Sequence, residues 1–388
     1  MKIFRNINFP ITTSIGMFDL LKGIAMLLIV FGHNRSIFPT MKLDIITRYT
    51  NEGAFRYIPY VYEASIFGRL CFAVIGAVVV SLMPALLILS GYTVRKRSVS
   101  KCFSLEYKEL LKPYLWATIA TVVFNFIFHF CFFRYIPGAL QESAKVLGGM
   151  VLGFSQNVQL GKITLFANGP IWFVLALFWA LVIFNILLNM MDEEKIKYYA
   201  LGLSFIGWLL SYVKYTPFCL SQGLIGVLYV YMGYYTRKSG ILTSEHSDKL
   251  IVKYTLFVII PNIILTFFGM LTEMADNVYS LGPVTYIENG LLGIGVLYVF
   301  LRINKTNNGK ITNALRYLGR YSFYFMCIHT VEMIAFPWYL VAGKFVKYQL
   351  LGFVSVYIVR IILIFLMLKV LIRIIELYNR IKIRKTIG

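Results

Sequence analysis

The chain has 388 residues, 59% of them hydrophobic and only 14% charged, with a mean hydropathy of +0.73 and a formal net charge of +21. A soluble domain carries about a quarter charged residues, so this composition lacks the polar side chains for a water-facing surface and excludes a soluble enzyme or binding module. Such a basic balance would suggest nucleic acid in a soluble chain, but Lys and Arg here collect at the ends of apolar runs, as the positive-inside rule requires, and no nucleic-acid partner is expected.

In lipid every backbone polar group must be paired internally, so spans are helices or closed barrels. The apolar runs do not alternate, which selects helices. They predict an all-α, polytopic transmembrane bundle of about ten spans, at 15–33, 66–93, 112–133, 169–190, 197–214, 219–236, 252–271, 283–302, 318–342 and 349–376. Basic residues concentrate in alternate connections, among them Arg95-Lys96-Arg97, Arg237-Lys238 and the Arg302–Arg320 stretch. That bias puts both termini in the cytoplasm, which needs an even number of spans.

The first run follows Lys2 and Arg5 in the manner of a signal peptide. It lacks an Ala-x-Ala-like cleavage site, and Asp19 and Lys22 interrupt it, so it reads as a retained span. Lys22 and His33 are eleven residues apart. At about 100° per residue that is three turns plus about 20°, so both share one face. Asp19 lies on the same stripe. Ionisable groups inside a span are expensive and are functional candidates by default. The alternative is that Lys22 snorkels to the interface beside Asp19 while His33 caps the helix.

The second run contains Arg69 and ends in Leu89-Ser90-Gly91-Tyr92, with Arg95, Lys96 and Arg97 just beyond. The third carries Asn125 and His129. Two long outer segments are expected, at 34–65 and at 134–168, and the second is Gly-rich enough to fold partly back into the membrane. His246 lies in a polar loop and reads as solvated. Glu288-Asn289 opens the eighth run, where Gly290, Gly293 and Gly295 read as helix packing because no strand precedes them. In the ninth run Glu332 follows His329 by three residues, a helical spacing that lets a carboxylate orient an imidazole. A packing histidine is the alternative there. Arg360 sits in the last run, and it, Arg69 and Glu288 are expected to pair across the bundle with partners the sequence does not name. The segment Arg380–Lys385 reads as a solvated tail on anionic headgroups.

The five cysteines (Cys71, Cys102, Cys131, Cys219 and Cys327) show no CxxC or metal-ligand spacing and read as small buried hydrophobes. No metal is expected. No nucleotide-phosphate loop, HExxH or GxSxG occurs, which argues against hydrolases and ATP-driven pumps.

At these residues the chain resembles the acyltransferase 3 family of membrane O-acyltransferases. Members typically open with an Asp, a basic-Gly pair and a Gly/Phe-His ending the first helix; here those are Asp19, Lys22-Gly23 and Gly32-His33. The basic–x10–His spacing is reproduced by Lys22 and His33. Leu89-Ser90-Gly91-Tyr92 with its basic residues is similar to the end of the family's second span. Trp172-Phe173-Val174-Leu175-Ala176-Leu177 is similar to a stretch of fucose-4-O-acetylase-like members, and Gly319 through His329 resembles the family's Gly-x-x-Ser-Tyr-x-x-Tyr-x-x-His. The chain departs twice: Lys22 stands where Arg is usual and cannot make the bidentate contact, and Lys96 separates Arg95 from Arg97.

The resemblance implies one membrane-embedded acyltransferase domain over 1–388, with 377–388 as a basic cytoplasmic tail, in the inner or plasma membrane. It implies transfer of an acetyl or other short acyl group from cytoplasmic acyl-CoA to a hydroxyl of a lipid-linked or surface glycan. No permanently bound cofactor is implied, since acetyl-CoA or another acyl-CoA serves as co-substrate. Besides acyl-CoA, the glycan or glycolipid acceptor and membrane lipid, a second copy of the chain, in a homo-oligomer, is among the partners to be tested. His33, Lys22 and Asp19 would be catalytic, with His33 either general base or covalent acyl carrier. His329 and Glu332 would support His33, and Arg95, Lys96 and Arg97 would receive the CoA phosphates. The competing readings are a glycan flippase or polymerase, and a proton-coupled transporter using His33, Lys22 and Glu332 as a relay.

Overall fold

Uninterrupted apolar sequence and small residues at close contacts give a helical bundle. A computed structural model describes residues 14–35, 50–52, 55–57, 66–213, 216–242, 247–270, 272–306, 309–345 and 348–387. In chain order the helices are α1 (Ser14–Arg35), α2 (Ile66–Thr93), α3 (Val99–Glu106), α4 (Lys112–Phe133), α5 (Ile136–Leu152), α6 (Trp172–Met190) and α7 (Glu193–Leu210). They continue with α8 (Leu220–Lys238), α9 (Ser247–Phe267), α10 (Val284–Thr306), α11 (Lys310–Arg320), α12 (Ser322–Ala335), α13 (Trp338–Ala342) and α14 (Gln349–Ile387). Two short antiparallel pairs lie between helices, Thr50–Glu52 with Phe55–Tyr57 and Val158–Leu160 with Ile163–Leu165, and single 3-10 turns cover Gly169–Ile171, Pro217–Cys219 and Gly343–Phe345.

Each predicted apolar segment contains a helix, and the all-α class holds. Among the described residues, 69–93, 99–133, 169–190 and 284–303 are long and apolar enough to cross a membrane. The pair 322–335 and 338–345, bent by 67°, makes a fifth if it is one broken span. Outward faces are apolar, as lipid contact requires. On α4 Leu115, Trp116, Ile119 and Val123 are exposed, and on α14 a stripe of Ile358, Ile362, Leu366, Val370 and Ile374 repeats every fourth residue.

The structure redraws three boundaries. The third span does not begin at 112: a π turn at Tyr107–Leu111 joins α3 to α4, so helix runs from 99 to 133. The ninth is not one helix. It starts anew after Tyr321 and breaks at Phe336, whose extended backbone (φ −88°, ψ 130°) is what a residue before proline adopts, here Pro337. The backbone of α14 stays helical to Ile387, through the segment expected as a tail. The segment 134–168 contains α5 and a hairpin. Cys102, Cys219 and Cys327 are buried as expected, but Cys71 and Cys131 lie on exposed helix faces, because those positions turn outward from the bundle. His246 and most of 34–65 lie outside the described residues.

Two glycine contacts set the bundle's geometry. A Cβ on Gly23 would lie 2.0 Å from the Leu315 carbonyl oxygen, and one on Gly319 would lie 1.7 Å from that of Asp19, so α1 and α11 touch backbone to backbone. Gly91 against Val230 and Gly233 against Ile88 do the same for α2 and α8. Small residues at such crossings are how membrane helices approach closely. The α10 glycines also face neighbours, Gly290 meeting Met232, Gly293 meeting Ala85 and Gly295 meeting Thr255. At the α7–α8 end, Lys238 pairs with Glu193 and holds its carboxyl below the usual carboxylate range.

Candidate active site

The α1–α11 contact fixes what happens one helix later. Because α11 is docked on α1 by Gly23 and Gly319, α12 continues along α1 and carries His329 to His33. His33 Nδ1 lies 3.0 Å from His329 Nε2. The other nitrogen of His329, Nδ1, lies 2.7 Å from Glu332 Oε1. His329 and Glu332 are buried, whereas His33 is half-buried.

Glu332 is held from two further sides. Arg360 of α14 donates from Nη2 to Oε1 at 2.8 Å and from Nε to Oε1 and Oε2 at 3.1 and 3.2 Å. Trp338, the first residue of α13, donates its indole N–H to Oε2 at 2.7 Å and to the Glu332 carbonyl at 3.1 Å. Arg360 also donates to Asn34 Oδ1 at 3.4 Å, and Asn34 Nδ2 donates to the Phe353 carbonyl at 2.8 Å. The break before Pro337 is what turns Trp338 back onto Glu332. Arg360 and Glu332 side chains are 0% and 1% exposed, so the carboxylate keeps its charge only through these partners.

With Glu332 ionised against Arg360, the hydrogen on His329 belongs on Nδ1, donated to the carboxylate. His329 Nε2 then accepts from His33 Nδ1–H, which puts the lone pair of His33 on Nε2. A chain ordered in this way fixes one tautomer at each ring and stabilises a proton gained by His33.

The other end of α1 carries a second charge cluster. Asp19 is buried, and Lys22 Nζ lies 2.8 Å from its Oδ1 while Arg320 Nε lies 3.4 Å from its Oδ2. Lys22 and Arg320 side chains keep 28% and 33% exposure, so a buried anion holds two cations at the edge of accessible space. The Phe18 and Tyr92 rings touch edge to face at 5.6 Å, which puts this end of α1 beside the end of α2 and the segment after it. Arg237 donates to the Tyr92 carbonyl at 3.0 Å. Asn185 and Asn189 of α6 hold the Arg97 backbone: Asn185 Oδ1 accepts from its N–H at 3.1 Å, and both side-chain amides donate to its C=O, at 3.0 and 2.8 Å. The Arg95 and Lys96 side chains are exposed.

Of the residues singled out in the sequence, His33, His329 and Glu332 are brought together at one end and Asp19 and Lys22 at the other. Arg95, Lys96 and Arg97 sit on the connection beside the Lys22 end. Lys22 does not meet His33, since eleven residues of helix separate them by about 16 Å. Sequence reasoning left out Asn34, Trp338 and Arg320, and named Arg360 without its partner. Asn34 follows His33 directly, and a polar residue at a predicted helix end was the available signal. Arg69 does not join either cluster; it donates to the Phe267 carbonyl at 3.2 Å and stacks on that ring.

Comparison with known proteins decides the kind of chemistry. The family model of the acyltransferase 3 proteins, described as an acyltransferase domain, matches residues 15–369. The chain belongs to the acyltransferase 3 family. This acyltransferase 3 protein is accordingly a membrane acyltransferase, with both charge clusters inside the matched region. No curated protein and no solved structure shows a significant match to the chain.

Proposed function

We propose that this acyltransferase moves an acetyl or other short acyl group from cytoplasmic acyl-CoA to a hydroxyl of a lipid-linked or surface glycan. The observation that carries the reading is the chain from His33 through His329 and Glu332 to Arg360. An alcohol needs its proton removed as it attacks, and a neutral imidazole with its lone pair on Nε2 is suited to that near neutral pH. The acceptor oxygen bonds to the thioester carbonyl carbon, its proton passes to His33, the C–S bond breaks, and the leaving thiolate takes the proton back from His33. The same ring as covalent acyl carrier splits this into two transfers.

The donor is a polyanion, and the Lys22 end supplies Lys22, Arg320, Arg95, Lys96 and Arg97. An extended acyl-CoA can lie along α1 with phosphates at that end and the thioester at His33. On the same reading the protein resides in the inner or plasma membrane as a surface-polysaccharide, fucose-4-O-acetylase-like O-acetyltransferase with ten spans and both termini cytoplasmic. Reporter fusions at Lys2 and after Gly388 are expected to report one side and a fusion at Asp276 the other; termini on opposite sides would remove the ten-span arrangement.

Lys22 variants test the donor site. Lys22→Met keeps the apolar stem and the helix but loses the charge, and the KM for acetyl-CoA is expected to rise at least about tenfold, the scale of a lost hydrogen bond to a charged group. Lys22→Arg is expected to retain substantial activity. If Met serves as well as Lys, then Lys22 is an anchor only, and the donor is gripped at Arg95 and Arg97.

A further inference from the structure

One large cavity lies beside the His33 cluster and shares Trp338 with it. It has a volume of about 660 Å³ and opens between α4, α5 and the break that separates α12 from α13. That volume falls in the range of small-molecule sites. Its walls combine two chemistries. Phe336, Trp338 and Tyr339 line it on the aromatic side, with Tyr339 the most exposed of the three, and His129, Glu142 and Asn125 line it on the polar side.

Several wall residues are held by bonds of their own. The Phe336 and Trp338 ring centroids are 4.5 Å apart at 51°, and the two bonds from the Trp338 indole to Glu332 fix its plane. Asn125 accepts from the Ser143 hydroxyl at 3.0 Å and donates to the Ile334 carbonyl at 3.3 Å. Glu142 is steadied by Lys145 at 2.6 Å. Tyr339 remains 56% exposed.

A lipid tail makes no use of the imidazole, carboxylate and amide on this wall, and the Glu142 carboxylate, already paired with Lys145, is an acceptor rather than a cation that would draw a phosphate. A sugar ring suits both parts: its C–H face lies on aromatic rings, while its hydroxyls donate to carboxylate and amide oxygens. We infer that this cavity is a saccharide-binding site. Resting on the acyl-transfer reading above, it seats a part of the glycan acceptor that is not itself acylated. Its place agrees with that role, because Trp338 both lines the cavity and bonds to Glu332, the support of His329.

Saturation-transfer NMR on the full chain in lipid nanodiscs tests this, with the methyl glycosides of glucose, galactose, mannose, fucose, rhamnose and N-acetylglucosamine as probes. At least one glycoside is expected to receive saturation at its ring protons. Tyr339→Ala and Glu142→Gln, each at a site with room to change, are expected to raise its dissociation constant about tenfold or abolish the signal. Saturation transfer to none of the probes, or equal transfer to wild type and both variants, overturns the inference. Release of CoA from acetyl-CoA by the wild type is measured alongside, with a membrane glycolipid extract supplied as acceptor. Variant-sensitive glycoside binding without CoA release keeps the cavity as a saccharide site and removes the acyl-transfer reading. CoA release without glycoside binding keeps that reading and overturns this inference.

Discussion

Arg360→Met is expected to destabilise the protein by about 3–5 kcal/mol, the cost of removing one partner from a buried ion pair. Arg360 is fully buried and makes three contacts to the Glu332 carboxylate. Without it, a carboxylate 1% exposed keeps only the indole of Trp338 and the ring of His329. The methionine refills the volume, so the loss is electrostatic rather than a cavity. Thermal unfolding in detergent reads the effect. The double variant Arg360→Met with Glu332→Gln is expected to recover part of the loss, because neither member then carries a buried charge. A single variant that melts with the wild type would show that Glu332 is not held as an anion by Arg360.

His33→Ala is expected to lower acyl transfer by about 10²–10⁴, the usual contribution of a positioned proton acceptor. His33 is half-buried at the end of α1 and the Glu332–Arg360 pair persists without it, so the protein is expected to insert and fold, with a smaller loss in melting than Arg360→Met. His329→Ala acts one step away: it removes the group that fixes the tautomer of His33, and the rate is expected to fall with a smaller change in acceptor KM. Turnover near the wild-type rate in His33→Ala would remove His33 from the chemistry.

How far the sequence carried these conclusions differs from residue to residue. The helices of the ten apolar runs were legible because long runs without alternation pair their backbone in lipid as helices, whereas α3 and α5 lie outside those runs. The pairing of His329 with Glu332 was legible from a spacing of three residues, which is a local property of a helix. Arg360 and Glu332 are 28 residues apart, and Asp19 and Arg320 are 301 apart. Such contacts depend on how helices cross, and no periodicity records that. Arg320 was read as one more interfacial cation, since its neighbours are basic and the buried anion beside it belongs to another helix. The break at Phe336 was within reach, because Pro337 disfavours helix at the preceding residue. The π turn at Tyr107–Leu111 carries no comparable local mark.

The central claim is acyl transfer from a CoA thioester to a glycan hydroxyl at His33. The most direct measurement follows radiolabel from acetyl-CoA in proteoliposomes containing the purified chain and a membrane glycolipid extract. The account predicts release of CoA together with label in the glycolipid as an alkali-labile ester, both lost in His33→Ala. Glycolipid crossing the bilayer with no CoA released and no labelled ester formed would contradict it.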